Sequence, residues 1–184
     1  MEQPLVPRYL FFTKGMGKHR ENLQSFEEAL RDAGIASFNL VRVSSIYPPH
    51  CKILPRKKGL EYLKPGQVVF CVLADCRTNE PNRLAGAAIG LALPAQNSNH
   101  GYISEYHGFG MTQRACGDYV EDMAASMLAT TQGIDLNPDT AYNERKELYQ
   151  AKGLVVKTRA VVKTVEGDKN GLWTTAVAAA VLIL

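Results

Sequence analysis

The run from Thr174 to Leu184 limits the possible folds more than any other part of the chain, because it is almost wholly apolar. It has about half the length that a membrane-spanning helix needs. As a β-strand that is apolar on both faces, it must be covered on both sides by other layers of the protein. The run from Gln67 to Leu73 has the same character and predicts a second strand buried on both faces.

Helices and strands are predicted to alternate irregularly along the rest of the chain. Apolar or alternating segments predict four further strands, at Tyr9–Phe12, Asn39–Val43, Tyr102–His107 and Leu154–Glu166. The last of these is followed by a turn-rich segment, so it is predicted to pair with the C-terminal run as an antiparallel hairpin. The alternation and the hairpin together predict an α+β fold with helices outside the sheets.

Three helices are predicted. Ser25 and Glu28 make a capping box for the first helix, which Gly34 ends. The alanine- and glycine-rich segment Arg83–Leu91 predicts a second helix, able to pack closely onto a sheet, and Met111–Gln132 predicts the longest one. Segments predicted to be loops, or in the last case a surface helix or insertion, are Lys14–Lys18, Arg56–Lys58 and Asn137–Lys152.

Charge and cysteine spacing exclude several function classes. A net charge of +3 on 184 residues, without a basic stripe interleaved with aromatics, does not indicate nucleic-acid binding. The length suggests a single domain over 1–184. No CxxC spacing occurs, so neither zinc nor redox chemistry is indicated, and without a signal peptide the thiols are expected to be reduced in a cytoplasmic protein. The cysteines are Cys51, Cys71, Cys76 and Cys116.

The adjacent residues Ser44 and Ser45 are the candidates for chemistry. They follow the strand Asn39–Val43 and precede a Pro-Pro pair, in which Pro48 pushes Tyr47 toward extended geometry and neither proline can donate to a sheet. The peptide between the serines is therefore held between a pinned strand and a stiff segment. Such an arrangement can distort one bond and present it to the neighbouring hydroxyl. On these residues alone, a strand ending in an ordinary loop remains the alternative.

Two longer stretches carry a resemblance to one family. The segments 26–35 and 38–49 closely resemble the pyruvoyl-dependent arginine decarboxylases, and Gly101–Gly108 is similar to that family's second motif. The resemblance covers most of the chain. It implies a four-layer αββα sandwich that assembles as a trimer or a multiple of trimers.

In that family the chain cuts itself between the two serines. The resemblance implies that Ser45 Oγ attacks the carbonyl of Ser44, that the chain separates into 1–44 and 45–184, and that Ser45 becomes a covalent pyruvoyl group. Such a carbonyl forms an imine with the substrate amine and accepts the electrons left by decarboxylation. The implied reaction turns L-arginine into agmatine and CO2, with neither a metal nor pyridoxal phosphate.

The resemblance also implies roles for individual side chains. Glu105 is expected to donate a proton to the α-carbon after CO2 leaves, with Ile103 beside the substrate on a partly apolar face that favours the protonated carboxyl. Asn39 is expected to hydrogen-bond the pyruvoyl group or the substrate carboxyl. Glu27 is expected to pair with the guanidinium, and Leu30 to line the alkyl stem.

The spacing between Asn39 and Ser45 predicts a site shared between subunits. Six residues of extended chain span about 20 Å, so the amide cannot reach the pyruvoyl group of its own chain unless the strand turns sharply. Glu27 and Asn39 would then come from one subunit, and Ser45, Ile103 and Glu105 from its neighbour.

Two alternatives stay open. The chain could decarboxylate another amino acid by the same chemistry. It could instead be an unprocessed homologue that acts only as an oligomeric binding protein. In the preferred interpretation its partners are L-arginine and further copies of itself, with no nucleic acid and no membrane.

Overall fold

The computed structural model describes residues 5–95, 99–131 and 157–184. Along these residues the chain forms nine strands and three helices. Their order is β1 Tyr9–His19, α1 Asn22–Asp32, β2 Asn39–Arg42, β3 Ile46–Tyr47, β4 Lys52–Leu54, α2 Arg56–Leu60, β5 Val68–Thr78, β6 Leu84–Leu93, β7 Gly101–Phe109, α3 Gln113–Thr130, β8 Lys157–Glu166 and β9 Trp173–Ile183.

The strands form two sheets, which confirms the predicted α+β class. The first sheet has the order β2-β5-β9-β1-β4, and the second has the order β3-β7-β6-β8. A core cluster between the sheets includes Phe12 and Val72 from the first and Ile89 and Ile103 from the second. Helix α1 packs against the first sheet and helix α3 against the second.

The apolar C-terminal run is the strand β9, as predicted. It lies inside the first sheet, antiparallel to β1 on one side and β5 on the other, and residues 174–183 are buried. The predicted strand at Gln67–Leu73 is likewise confirmed as β5, which extends further to Thr78. Both strands are covered by α1 on one face and by the second sheet on the other, so their apolar residues are buried on both faces.

The first strand is longer than predicted, and the loop predicted at Lys14–Lys18 is wrong. Strand β1 continues through these residues to His19. A Cβ atom on Gly15 would lie 2.2 Å from the carbonyl oxygen of Ala29, and one on Gly17 would lie 2.2 Å from that of Ser25. The two glycines therefore allow the backbone of α1 to lie directly on the strand.

The capping box predicted at Ser25 and Glu28 is also wrong, because α1 already begins at Asn22. Ser25 is buried, and its hydroxyl shares a 2.7 Å hydrogen bond with the hydroxyl of Thr175 in β9. The side chain thus ties the helix to the sheet. The predicted end of the helix at Gly34 is confirmed, since this residue has a φ of +76° just after the last turn.

The helix predicted at Arg83–Leu91 is wrong, because the segment from Leu84 onward belongs to the strand β6. The small side chains do permit close packing between a helix and a sheet, but the segment supplies the sheet. A Cβ atom on Gly90 would lie 2.2 Å from the carbonyl oxygen of Val120 in α3. The longest predicted helix is confirmed as α3, with the hydroxyl of Thr112 accepting a hydrogen bond from the Ala115 amide at its start.

The predicted C-terminal hairpin is wrong. Strand β8 pairs with β6 in the second sheet, whereas β9 lies in the first, so residues 167–171 cross between sheets. The consecutive antiparallel pair is β6 with β7 instead. Residues 56–58, predicted as a loop, are exposed but belong to the short helix α2. The segment 137–152 and the first residues of the predicted strand Leu154–Glu166 lie outside the described residues.

Candidate active site

The Ser44–Ser45 peptide lies where the chain passes from one sheet to the other. Strand β2 of the first sheet ends at Arg42, and the Val43 amide still donates to the carbonyl oxygen of Cys71 in β5, at 3.0 Å. Strand β3 of the second sheet begins at Ile46, which pairs with β7. The peptide is therefore fixed from both ends by different sheets, and this confirms the predicted strand before the serines.

Both serine carbonyls accept main-chain hydrogen bonds. The amide of Ile46 donates to the Ser44 carbonyl oxygen at 3.0 Å, and the amide of Ile103 donates to the Ser45 carbonyl oxygen at 2.7 Å. A donor at this distance from a carbonyl stabilises the negative charge that develops when the carbon is attacked. Ser44 is exposed and Ser45 is half-buried. The site can thus polarise the carbonyl of Ser44 for a nucleophile.

The turn that follows the serines is fixed by a buried tyrosine. The Tyr47 hydroxyl donates a hydrogen bond to the carbonyl oxygen of Cys51, and burial raises the pKa of this phenol well above its usual value. Between them His50 adopts a positive φ of 59°. The hydrogen bond closes the turn that follows Tyr47, which is the last residue of β3 and pairs with Gly101 of β7.

An apolar cleft of about 520 Å³ adjoins the first serine. Its walls come from the first described residues, from both strands that flank the serines and from the end of the chain. They are Leu5, Val6, Pro7, Val43, Ser44, Ile46, Pro48, Pro49, Phe70, Leu182 and Leu184. The exposed side chain of Ser44 therefore lies beside a mostly apolar surface.

The structure brings Ile103 and Ser45 together in one chain, with Glu105 nearby. Glu105 lies two residues beyond Ile103 on β7, which places its Cα about 7 Å further along the strand. Ile103 is fully buried between the sheets, whereas Glu105 is exposed. The partly apolar surroundings expected for Glu105 are therefore not supplied by a single chain.

Glu27 lies on α1 beside a cleft of about 370 Å³ and already holds a guanidinium. Its two carboxylate oxygens accept hydrogen bonds from Arg31, at 2.7 and 2.8 Å from Nη2. The cleft is also lined by Gly34, Ala36 and Ser37. Leu30 packs against the core between α1 and the first sheet, which is not the surface expected for it.

Asn39 lies at the far end of β2 from the serines. Its side-chain amide donates to the carbonyl oxygen of Gly66 at 2.8 Å, and its main-chain amide donates to Gln67. The amide of Gly66 donates in turn to Ser37, on the edge of the Glu27 cleft. Two groups of expected site residues result, one with Glu27 and Asn39 and the other around Ser45. The four residues of β2 separate them.

Sequence reasoning did not single out the charged residues that fix the end of β2. The Arg42 guanidinium contacts the carboxylate of Asp75, which also accepts a hydrogen bond from Arg77 at 2.8 Å. A signal was present, because Asp75 interrupts a strand that is otherwise almost wholly apolar. The Ile46 amide left no comparable signal, since every residue except proline carries one.

All four cysteines are buried and free of disulfide bonds. Burial raises the pKa of Cys51 and of Cys71 to about 11, and it also raises the pKa of the other two thiols. Within residues 5–95, 99–131 and 157–184, no group of three or more His, Cys, Asp or Glu side chains is placed to hold a metal ion. None of the helices in the described part of the chain could cross a membrane.

Comparisons with known proteins agree on one family. The family model described as pyruvoyl-dependent arginine decarboxylase matches residues 9–184. A relative from Chloroherpeton thalassium, named a probable pyruvoyl-dependent arginine decarboxylase, is 56% identical over 178 residues, which is 97% of this chain and 98% of the relative. The pyruvoyl-dependent arginine decarboxylase of Methanococcoides burtonii is 53% identical over 98% of this chain and its own full length. The one from Nitrosopumilus maritimus is 47% identical, over 98% of each chain.

Proposed function

The chain belongs to the pyruvoyl-dependent arginine decarboxylase family and is a lyase, and we propose that it converts L-arginine to agmatine and CO2 after cutting itself between Ser44 and Ser45. The contact that carries the proposal is the 3.0 Å hydrogen bond from the Ile46 amide to the carbonyl oxygen of Ser44. In the proposed reaction, residues 1–184 form one domain that separates into 1–44 and 45–184.

The cut begins with attack of Ser45 Oγ on the carbonyl carbon of Ser44. The new C–O bond forms as the C–N bond breaks, and the hydroxyl proton ends on the freed nitrogen of Ser45, so an ester replaces the amide. The Ile46 amide stabilises the oxyanion during this step. Loss of the Ser45 α-proton then breaks the bond from Cβ to the ester oxygen. This releases a carboxylate on Ser44 and leaves dehydroalanine, from which water displaces ammonia to give the pyruvoyl group.

The surroundings of Ser45 fit a pyruvoyl group. The main-chain carbonyl of residue 45 stays bonded to Ile46 after the cut, and this is the oxygen that the Ile103 amide holds at 2.7 Å. The new ketone would therefore stay anchored on β7, the strand that carries Glu105. Once formed, the ketone supplies the electron sink that no side chain offers for decarboxylation. Neither a metal ion nor pyridoxal phosphate is needed in the proposed reaction.

Side chains around the substrate have separate tasks. Glu27 binds the guanidinium, and its two-point contact with Arg31 supports this role, because the same geometry suits an arginine substrate. Glu105 carries the proton that replaces the carboxylate on the α-carbon. Asn39 orients the substrate carboxyl or the ketone. Ile103 contributes its main-chain amide, because its side chain is buried between the sheets, and Leu30 packs against the core under α1 and does not line the alkyl stem.

The site is proposed to form between neighbouring subunits of a trimer, or of a multiple of trimers, built from four-layer αββα sandwiches. Two observations support this arrangement. Asn39 begins β2, whereas Ser45 follows three residues after its far end, so one chain does not bring the two groups together. Large apolar side chains are also exposed around the same edge, and a neighbouring subunit would bury them. They are Val41, Val43, Ile46 and Val68.

Intact mass after denaturation tests the proposal. The purified protein should give two masses that correspond to 1–44 and 45–184, the larger with a pyruvoyl group at its start. Incubation with L-arginine should release agmatine and CO2, and borohydride reduction in the presence of arginine should trap the substrate on the larger fragment. A single uncut mass with no release of CO2 would contradict the proposal.

A further inference from the structure

We propose that Asp75 is a positioning residue for the self-cleavage. Through its ion pair with Arg42 it fixes the end of β2, and it thereby keeps the carbonyl of Ser44 within reach of the Ser45 hydroxyl. The inference rests on the proposed cut between these serines, and it adds a residue that lies on another strand.

The end of β2 has few other supports. This strand has four residues, lies at the edge of the first sheet and, among the strands of the described residues, pairs with β5 alone. Three of its four side chains are exposed, so burial contributes little to holding it. Main-chain hydrogen bonds to β5 continue as far as Val43. From Ser45 onward the main chain bonds to the second sheet instead, through the Ile103 amide.

Asp75 is itself held firmly. Its side chain is only 14% exposed, and it bridges two arginines, with Arg42 on one oxygen and Arg77 on the other. Arg77 also donates to the side-chain oxygen of Asn22 at 3.0 Å, and its guanidinium lies 4.0 Å above the ring of Phe26. Asp75 therefore connects the end of β2 to helix α1. The carboxylate is a fixed point and not a mobile surface group.

The direction of the Arg42 side chain explains why the ion pair affects the serines. Arg42 lies opposite Cys71 in the parallel register. Asp75 is four residues further along β5, so its Cα lies about 13 Å beyond that of Cys71. The guanidinium can reach that carboxylate only if the side chain extends along the strand. It then runs beside residues 43 and 44, where main-chain pairing to the sheet ends.

The Arg42 side chain, which pairs with Asp75, and the serines leave β2 toward opposite faces of the first sheet. Leu40 packs into the core on the α1 side, and Arg42, two residues later, shares that face. The serines instead cross toward the second sheet. Pulling Arg42 toward α1 thus fixes the bend from the other side. Attack by a hydroxyl needs an approach of about 3–3.5 Å, and a misplacement of about 1 Å can cost about 10²-fold in rate.

The test compares Asp75→Asn with the unchanged protein. Each is pulse-labelled in cell-free synthesis, and the cut fraction is followed by denaturing gel and intact mass. We expect cleavage of Asp75→Asn to be between about tenfold and 10²-fold slower. Arg42→Lys keeps the charge but loses the planar fork, so it should slow cleavage to a smaller extent. The matched control is Asp168→Asn, because Asp168 also pairs with a cation, Lys18 at 3.3 Å, and is 17% exposed.

Hydroxylamine separates a delay in forming the ester from a delay in the elimination that follows it. It cleaves the ester that forms at Ser44, so it accelerates cutting whenever the ester accumulates. If Asp75 positions the carbonyl for ester formation, hydroxylamine should leave the difference between Asp75→Asn and the unchanged protein intact. Restoration of the variant to the normal rate by hydroxylamine would overturn the inference.

The remaining outcomes separate the two proposals. An unchanged protein that never cuts itself would contradict the proposed function. If the unchanged protein cuts itself, and Asp75→Asn and Arg42→Lys do so at the same rate as the unchanged protein, only the role of Asp75 is contradicted. Equal slowing in Asp168→Asn would also contradict it, because the effect would then follow from the loss of any half-buried ion pair.

Discussion

At the scale of single residues, the contact between Glu27 and Arg31 is the most informative, because it places a guanidinium on the carboxylate proposed to bind one. The contact also raises the pKa of Arg31 through the hydrogen bond and charge of Glu27. The two residues are four apart on the helix, with the Arg31 side chain exposed and that of Glu27 half-buried. Exposed pairs of this kind contribute little to stability, so a substrate held by further contacts can displace Arg31.

This weak competition leads to a prediction in two directions. Glu27→Gln should raise KM for arginine about tenfold or more, because a charge-assisted two-point contact becomes neutral. Arg31→Gln should lower KM by at most about twofold, because it frees Glu27 at the cost of a weak exposed pair. Steady-state kinetics with arginine measure both effects, and Glu28→Gln on the same helix is the control. Loss of binding in Arg31→Gln would show that Arg31 assists the substrate and does not compete with it.

Glu105 gives a second prediction at this scale. Glu105→Gln should still cut itself, because the carboxyl has no task in the attack of Ser45 on Ser44. It should lose decarboxylation by about 10²-fold or more, because the amide cannot supply the proton. Intact mass reports the cut, and release of ¹⁴CO2 from labelled arginine reports the turnover. Near-normal turnover in a fully cut variant would remove Glu105 from the proposed role.

At the scale of secondary-structure elements, glycines decide where the helices lie. Gly15 and Gly17 allow α1 to lie directly on β1, and Gly90 does the same for α3 on β6. The sequence pattern gave these glycines other meanings, a loop in the first case and a helix in the second. A glycine in a strand and a glycine in a turn look alike until the neighbouring element is known.

The space around each glycine predicts opposite effects for two Gly→Ala changes, one under α1 and one in α3. Gly17→Ala should lower stability by about 1–3 kcal/mol or more, because the methyl group would meet the backbone of α1 at 2.2 Å. Gly117→Ala in the second turn of α3 should raise stability by about 0.5–1 kcal/mol, since the nearest neighbour of the new methyl group would be Val162 at an ordinary 3.5 Å. Thermal melting measures both. Equal melting temperatures would contradict the packing of α1 on β1.

The same elements show how much of the molecule the sequence predicts. The doubly buried strands β5 and β9 follow from their apolar composition, and the strand before the serines follows from its alternation. The pairing of β8 with β6 cannot be predicted from the sequence pattern, because the choice of a neighbouring strand depends on the packing of the whole sheet. For the same reason Asp75 could be noticed as unusual, but its contact with Arg42 could not be predicted.

At the scale of the whole molecule, the buried thiols couple stability to pH. The pKa of Cys51 and Cys71 is about 11 in the folded chain, against about 8.5 for an unfolded thiol. Below the unfolded value both states hold the proton, and stability does not depend on these groups. As the pH rises further, the unfolded chain loses protons that the folded chain keeps, so stability falls.

Melting between pH 8 and pH 10 tests this coupling. The melting temperature should fall over this range, and Cys71→Ala should show a shallower fall, because one of the buried thiols is removed. The thiols should also react with Ellman's reagent only after unfolding, since all four are buried. Rapid reaction of the folded protein, or an identical pH dependence in the variant, would contradict the coupling.

The largest consequence of the topology concerns what holds the molecule together once it is cut. The fragment 1–44 contains β1, α1 and β2, which are parts of the first sheet and its covering helix. Strand β1 pairs with β9 along its full length, from Tyr9 to His19, and α1 covers the same two strands. The two fragments should therefore elute together in size-exclusion chromatography and separate only in denaturant. Cutting should change the melting temperature little, because the broken bond lies in a crossing between sheets and not within either of them.

A Ser45→Ala variant, which cannot form the ester, supplies the uncut reference. Recovery of a folded, monomeric 45–184 fragment without denaturant would contradict this arrangement, since β9 would then be stable without β1 beside it.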